Sequence, residues 1–532
     1  MIYNFQKWFF LGVVVLISNG SLAQPLPFDF SWGKEGVLPV VFDLRDTERL
    51  AKVRSQPAGG CWASAAISTV ESFRKTAGFD DPPLSDRHMQ LFHGFNQGRN
   101  SNGNYRMATA YFSRGHGPVI QNPETDTLYS SLLQLPFFIS EAWYLPNDPV
   151  LIKQLILSRG PVYSMMHFRK ERHDTISNIY YAHKEGINHV VTLVGWNDTL
   201  RTRFGSGAWI AQNSLGTRFG DNGFFYVPYQ DKNILNHNAV WPGWTPFNPN
   251  ERILYYDTLG SYHSFGFGDS VCYGLVKFTA HQTGRLTRIA TSVNQPGTRV
   301  QASVYSDFDT VSYQLSGLLK SVRETRFSYA GYYSIDLGKE IAFNAGTDFF
   351  ILMKYTTDGD TLPMPVETFV PDYASPVLSR GKCWVNPDFE RWPDAWHETG
   401  VDAQFKSLKF NLCIRGYFIA DSHNARNSLD YYGVYRGILP CADCEGIETE
   451  IELKPANRFV IMTKYPGKGT EAVTETSGTF AWNEEGNIIT LMGLSPVNHY
   501  FVGENILNYL DKDGQKFTGA LEALYVLRKS SK

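Results

Sequence analysis

One stretch of this 532-residue chain limits its fold more than any other: Trp241-Pro242-Gly243-Trp244-Thr245-Pro246, followed closely by Asn248-Pro249-Asn250. Proline removes a backbone donor and fixes φ, so this run suits neither a helix interior nor a central strand and reads as a domain boundary. The apolar pattern changes across it. Residues 24–245 mix helical periodicity, as in Ala63, Ala66, Ile67, Val70 and Phe73, with short apolar strands near 190–195 and 208–212. Residues 246–421 alternate with period two, as in Val300, Ala302 and Val304, between Gly, Asn and Asp turns; the denser run 349–355 reads as a strand buried on both faces. A polar linker follows at 421–428, and residues 429–532 are again strand-like. At about 100 to 200 residues per domain, three domains are expected. The fold class is α+β: a mixed first domain, then an all-β sandwich and a small second β domain.

The N-terminus predicts an export signal over residues 1–23. Lys7 precedes the apolar run 8–17, and Ser21-Leu22-Ala23 forms a small-x-small cleavage site before Gln24. That run is shorter than the about 20 residues a bilayer span needs, and no later segment is longer and apolar, so no transmembrane segment is expected. Lys and Arg total 49 against 52 Asp and Glu, with no basic cluster among aromatics, which argues against nucleic acid as a partner. Six cysteines are too few for a disulfide-built scaffold of this length.

Cys61 follows Gly59-Gly60 and opens the helical pattern. A thiol in the first turn of a helix is acidified by the partial positive charge there, and a neighbouring imidazolium acidifies it further. The segment alone leaves two readings open, a nucleophile and an inert buried thiol. Two later segments bear on the choice. His189 opens an apolar strand that ends in Gly195-Trp196, and Asn213 closes another, ahead of the turn Gly220-Asp221-Asn222-Gly223. Met165, Met166, His167, His173 and His183 could be soft-metal ligands, but no metal-site spacing fits them; no metal and no cofactor are expected.

Phe42-Asp43-Leu44-Arg45, Gln56, Gly59-Gly60-Cys61-Trp62-Ala63, Asn188-His189 and Asn213-Ser214-x-Gly216 together resemble the papain family of cysteine peptidases, in this order. His189 and Asn213 lie about 130 to 150 residues beyond the Cys, as that family has them. The resemblance implies a papain-like two-lobed peptidase domain over 24–245. In it Cys61 is nucleophile, His189 base, Asn213 the orienter of the base, and Gln56 a side-chain donor to the oxyanion. It also implies a substrate wall at Gly103, Asn104 and Asn188. Four departures stand out. Gln56 lies five rather than six positions before the Cys, and Ala58 removes a family cysteine. Leu215 replaces an aromatic residue over the His-Asn pair, which predicts easier solvent access to it, and Asn104 replaces a glycine, which predicts a side chain crowding the substrate wall. The short stretch between Gln24 and Phe42 implies a chain active without trimming.

Tyr255-Tyr256-Asp257-x-Leu259-Gly260 and the strands after Phe278 resemble the lectin-like β domains that follow such peptidases in bacteria, over 246–421. Tyr435-x-Gly437-x-Leu439-Pro440-Cys441-Ala442-Asp443-Cys444-x-Gly446 resembles the N-terminal β-barrel domain of NlpE copper-resistance lipoproteins, over 429–532. Cys441 and Cys444 could be a redox pair, a metal site or a staple; in an oxidising compartment a local disulfide is the default. The function expected is an exported, periplasmic or secreted, cysteine endopeptidase acting on peptides and proteins, with a carbohydrate or cell-envelope component as the partner of its β domains. The rival is a non-catalytic envelope-binding protein built on an inactive papain-like domain.

Overall fold

The computed structural model describes residues 38–98, 101–122, 135–183, 186–400, 408–421, 425–441, 446–466, 473–483, 486–512, 514–517, 519 and 522–530. The signal segment expected over 1–23 lies outside them.

Four helices of the first region matter for the site: α1 (Cys61–Thr76), α2 (Asp86–Phe92), α3 (Tyr105–Ser113) and α4 (Pro149–Ser158). The Ser85, Asn104 and Asp148 side chains accept first-turn N–H groups of α2, α3 and α4, which is why those helices begin there. Gly60 at the N-cap of α1 has no side chain to do this, so its first-turn N–H groups face the site without a side-chain cap. The Ala63, Ala66, Ile67, Val70 and Phe73 face of α1 is buried. Each large apolar side chain sunk in this way contributes about 1.5–3 kcal/mol.

Among the described residues a thirteen-stranded sheet runs through both the first and the middle regions. Its order is Glu251–Leu254, Ile414–Ala420, Gly284–Val293, Ala330–Phe343, Phe137–Leu145, Asn236–Pro246, Val162–Met166, His189–Thr202, Gly205–Gln212, Phe224–Pro228, Ile179–Tyr180 and His173–Asp174, with Val41–Asp43 added against His189–Thr202. The seam between the regions is antiparallel, from Ala330 opposite Tyr144 to Tyr333 opposite Glu141. A Cβ on Gly331 would lie 1.9 Å from the Ala142 carbonyl oxygen, so the seam closes only because this residue has none. Over it, Trp62, Ile67, Tyr111 and Phe112 share one buried cluster with Ala290, Tyr332 and Tyr417. The buried Arg415 guanidinium pairs with Asp257 at 2.8 Å and reaches Ser113 Oγ at the end of α3 at 2.9 Å. Removing one partner of such a buried pair costs about 3–5 kcal/mol.

The proline-rich junction is not a loop. Trp241 to Pro246 lie within the strand Asn236–Pro246, in the interior of the sheet. A bulge explains how: Glu141 faces Gly243 and Trp143 faces Val240, so Trp241 and Pro242 together oppose Ala142. On the other edge Val162–Met166 pairs only with Asn236 and Ala239, so no strand calls for the donor that Pro242 lacks.

The middle region also carries a six-stranded sheet in which Val300, Ala302 and Val304 point inward and Asp348–Thr356 is buried almost throughout, as its sequence predicts. The last region is a closed eight-stranded barrel from Gly433–Leu439 to Val526–Lys529, filled by Tyr435, Ile451, Phe480, Ile489 and Leu527. Cys441 is disulfide-bonded, whereas Cys61, Cys272, Cys383 and Cys413 are free; the expected partner, Cys444, lies outside the described residues.

Candidate active site

Three segments distant in sequence meet at the start of α1. Cys61 is its first residue and is 3% exposed. Its sulfur faces its own N–H and those of Trp62 and Val190, which places it beside the strand that His189 opens. His189 Nε2 donates to Asn213 Oδ1 at 3.0 Å. An amide oxygen can only accept, so the ring proton is on Nε2 and Nδ1 keeps its lone pair. Asn213 is fixed in turn by its N–H to the Gly223 carbonyl at 2.8 Å.

Gln56 is held by the residue after Asn213. The Gln56 N–H donates to the Ser214 carbonyl at 2.7 Å, and Ser214 Oγ donates to Gln56 Oε1. With its oxygen occupied, the Gln56 amide has its NH2 left for another acceptor. The loop that follows is braced by Gln90 Nε2, which donates to the Ala58 carbonyl at 2.6 Å.

The Leu215 substitution does not open the pair to solvent. Leu215 itself is 40% exposed, yet His189 is 8% and Asn213 2% exposed. The cover is Phe168, whose ring centroid lies 4.9 Å from that of His189 and which is backed by Phe219 and Phe225. Asn188 positions it: its Nδ2 donates to the Phe168 carbonyl at 3.0 Å and its Oδ1 accepts the Phe168 N–H at 2.7 Å. The Asn188 side chain is therefore engaged with Phe168 and its backbone N–H with the Met166 carbonyl at 3.2 Å, so its own carbonyl is the part left for a substrate. Asn104 likewise turns its oxygen back to cap α3, accepting from Arg106 and Met107 N–H at 2.9 and 3.1 Å. A Cβ on Gly103 would come within 2.4 Å of the Trp62 ring, so the backbone here lies flat against the residue after Cys61. The sequence carried no signal for Phe168 or Gln90, and Ser214 stood in the motif after Asn213 without a role of its own. Asp43 and Arg45, in the first of the family segments, form an ion pair at 2.7 Å, with Asp221 as a second partner of Arg45 at 2.7 Å.

The electrostatics depart from the acidified thiol expected at a helix start. Burial pushes the Cys61 thiol up, against the backbone N–H groups of Val190, Trp62 and Cys61 that favour its thiolate. Burial also pushes the His189 imidazole down to about 4, with the Asn213 bond opposing. Both shifts favour a neutral thiol and a neutral imidazole, and the start of α1 pulls the other way. Among the described residues no group of His, Cys, Asp or Glu is arranged to hold a metal.

A buried thiol at an uncapped helix start, beside a strand that carries an imidazole oriented by an amide from the neighbouring strand, defines a papain-like thiol peptidase domain. Comparison with known proteins agrees. The papain family cysteine protease model matches residues 138–241, the lectin like domain model 253–418 and the NlpE N-terminal domain model 435–520. The papain match takes in His189 and Asn213 and leaves out Cys61. The viral cathepsin of Cydia pomonella granulosis virus is 27% identical over 213 residues, 37% of this chain and 60% of that protein. A cysteine protease of Blomia tropicalis is 27% identical over 38% of this chain and 66% of its own length. The chain thus spans less than two thirds of either relative. Lipoprotein NlpE of Escherichia coli is 34% identical over 94 residues, 17% of this chain and 39% of NlpE. Among solved structures, the cysteine protease and lectin-like domains of Cwp84, a surface layer associated protein of Clostridium difficile, superpose with a TM-score of 0.61 at 16% identity, over 72% of this chain and 89% of that one. That likeness concerns the fold. The chain carries a papain-family cysteine peptidase domain, a lectin-like domain and an NlpE-type domain, in that order.

Proposed function

We propose that this chain is an exported cysteine endopeptidase in which Cys61, His189 and Asn213 act as nucleophile, base and orienter. The observation that carries the reading is the 3.0 Å bond from His189 Nε2 to Asn213 Oδ1, which leaves Nδ1 as the basic atom, on the strand whose Val190 N–H faces the Cys61 sulfur. In the reaction Nδ1 takes the Cys61 proton as Sγ attacks the scissile carbonyl carbon. The oxyanion is met by the Cys61 N–H and the Gln56 amide. Collapse breaks the C–N bond, His189 returns the proton to the leaving amine, and water activated by the same imidazole hydrolyses the thioester. Ser214 and Phe168 answer the two features the non-catalytic rival would cite: Ser214 secures the shifted Gln56, and Phe168 does the shielding that Leu215 cannot.

The organisation that goes with this function is a signal over 1–23, the peptidase over 24–245, the lectin-like domain over 246–421 and the NlpE-type barrel over 429–532, with Cys441 bridged to Cys444. Substrates are peptides and proteins; the β domains engage a carbohydrate or another envelope component. Surface association of Cwp84 and the lipoprotein nature of NlpE support export. A thiol-directed epoxide inhibitor should add one equivalent of mass to the protein, at Cys61, and none to Cys61→Ala. Labelling elsewhere, or none, would rule this nucleophile out.

The pH dependence follows from the base. His189 must be unprotonated to accept the thiol proton, and burial holds its pKa at about 4. The acid limb of kcat/KM should therefore fall near pH 4, with activity retained through pH 6.5, where an unperturbed imidazole would already be half protonated. A limb centred near 6.5 would mean that the imidazole is solvated in the working enzyme.

A further inference from the structure

The wall at Gly103 and Asn104 is completed by the lectin-like region. Asn104 Nδ2 donates to the Tyr373 hydroxyl at 3.2 Å. Tyr373 sits on a tight turn in which Val370 and Ala374 exchange backbone bonds of 2.9 Å. The turn is pinned to the peptidase region just ahead of Asn104: the Asn96 N–H donates to the Tyr373 carbonyl, Asn96 Nδ2 to Ser375 Oγ and Gln97 Nε2 to the Asp372 carbonyl, each at 2.9 Å. The Phe95 ring packs on Tyr373 with centroids 4.9 Å apart.

Beside this wall are two groups whose chemistry is unanswered. The Tyr163 hydroxyl is fully buried and has no hydrogen-bond partner. It lies within electrostatic reach of the Cys61 sulfur and of the Tyr105 and Tyr373 hydroxyls, and burial holds it as a neutral O–H donor. Tyr105 links it to the second group: its ring lies 6.5 Å from that of Tyr163 and 5.7 Å from the Arg106 guanidinium. Arg106 is half-buried and bonds the Ser261 carbonyl at 2.9 Å and Asn294 Oδ1 at 3.3 Å. Among the described residues no carboxylate pairs with it. A desolvated cation with only neutral acceptors and a buried donor with none, both beside the Tyr105 ring, favour the entry of an anionic acceptor.

We propose that Tyr105, Arg106, Tyr163 and Tyr373 form a side-chain pocket beside Cys61, shared by the peptidase and lectin-like regions, that takes an acidic residue of the bound polypeptide. The carboxylate meets Arg106, the Tyr163 hydroxyl supplies a second donor, and Tyr373 closes the outer side. The pocket rests on the reading of Cys61 as nucleophile, so its test separates the two claims.

A peptide library scanned with Glu and Gln at each position should show kcat/KM at least about tenfold higher for Glu at one position, the scale of a charge-assisted hydrogen bond. Arg106→Gln should abolish that ratio and Arg106→Lys should keep part of it. Because Arg106 also reaches Ser261 and Asn294, the fold-neutral variant is Tyr163→Phe, which removes only a hydroxyl without a partner and should lower the ratio several-fold. Equal rates for Glu and Gln at every position, or a ratio untouched by Arg106→Gln and Tyr163→Phe, would overturn the pocket. The same peptides are titrated onto Cys61→Ala by calorimetry. Preferential binding of Glu peptides there, with no hydrolysis by the wild type, would uphold the pocket and overturn the peptidase; hydrolysis with no preference in either assay would do the reverse.

Discussion

Cys61→Ala is expected to lower kcat/KM for peptide hydrolysis by about 10^4-fold or more, the scale on which removal of a triad nucleophile acts. The residue's chemistry is concentrated in one atom. Its sulfur faces three backbone N–H groups, and it accepts no side-chain hydrogen bond that other residues depend on. Its side chain is nearly the size of alanine's, and the neighbours Trp62, Ala65 and Ala66 already fill the cluster around it, so stability should move little. The contrast between lost turnover and a retained thermal transition is the readout. Appreciable residual hydrolysis in the purified variant, at a rate unaffected by thiol reagents, would move the nucleophile elsewhere. No other described cysteine is placed to substitute: Cys272, Cys383 and Cys413 lie buried in the middle region, where burial pushes all three thiols up.

What could be read in the sequence and what could not divide along a physical line. The start of α1, the strand opened by His189 and the strand closed before Asn213 each announce themselves through local apolar period and turn chemistry, and these elements stand where the pattern puts them. Phe168 was invisible because its role comes from a tertiary contact: Asn188, twenty positions on, holds its backbone and so aims its ring at His189. Tyr373 lies further still from the segment it completes. The junction at Trp241 was misread for a related reason. Proline is excluded from central strands only where a neighbour needs its N–H, and here a bulge on one side and a short strand on the other remove that need. The same blind spot hid the seam. Nothing local in Ala330–Phe343 says that it pairs with Phe137–Leu145, so two regions that read as separate domains share one sheet.

His189→Ala should lower kcat/KM by about 10^3 to 10^4-fold, whereas Asn213→Ala should lower it by about 10 to 10^2-fold. The difference follows from what each change removes. Without His189 there is no base for the Cys61 proton and no acid for the leaving amine. Without Asn213 the imidazole remains, packed under Phe168 and carried on the strand His189–Thr202, but its Nε2–H loses the acceptor at 3.0 Å. A buried donor left unsatisfied costs about 1–3 kcal/mol, or roughly 5- to 150-fold if the whole cost falls on the productive tautomer. A second readout separates orientation from mere support of the fold. Burial lowers the His189 pKa and the Asn213 bond raises it, so removing Asn213 should shift the acid limb of kcat/KM to lower pH than in the wild type, not higher. Losses of equal size in the two variants, with circular dichroism unchanged, would give Asn213 a direct part in the chemistry; a limb that moves toward 6.5 in Asn213→Ala would mean that the substitution opens the site to water.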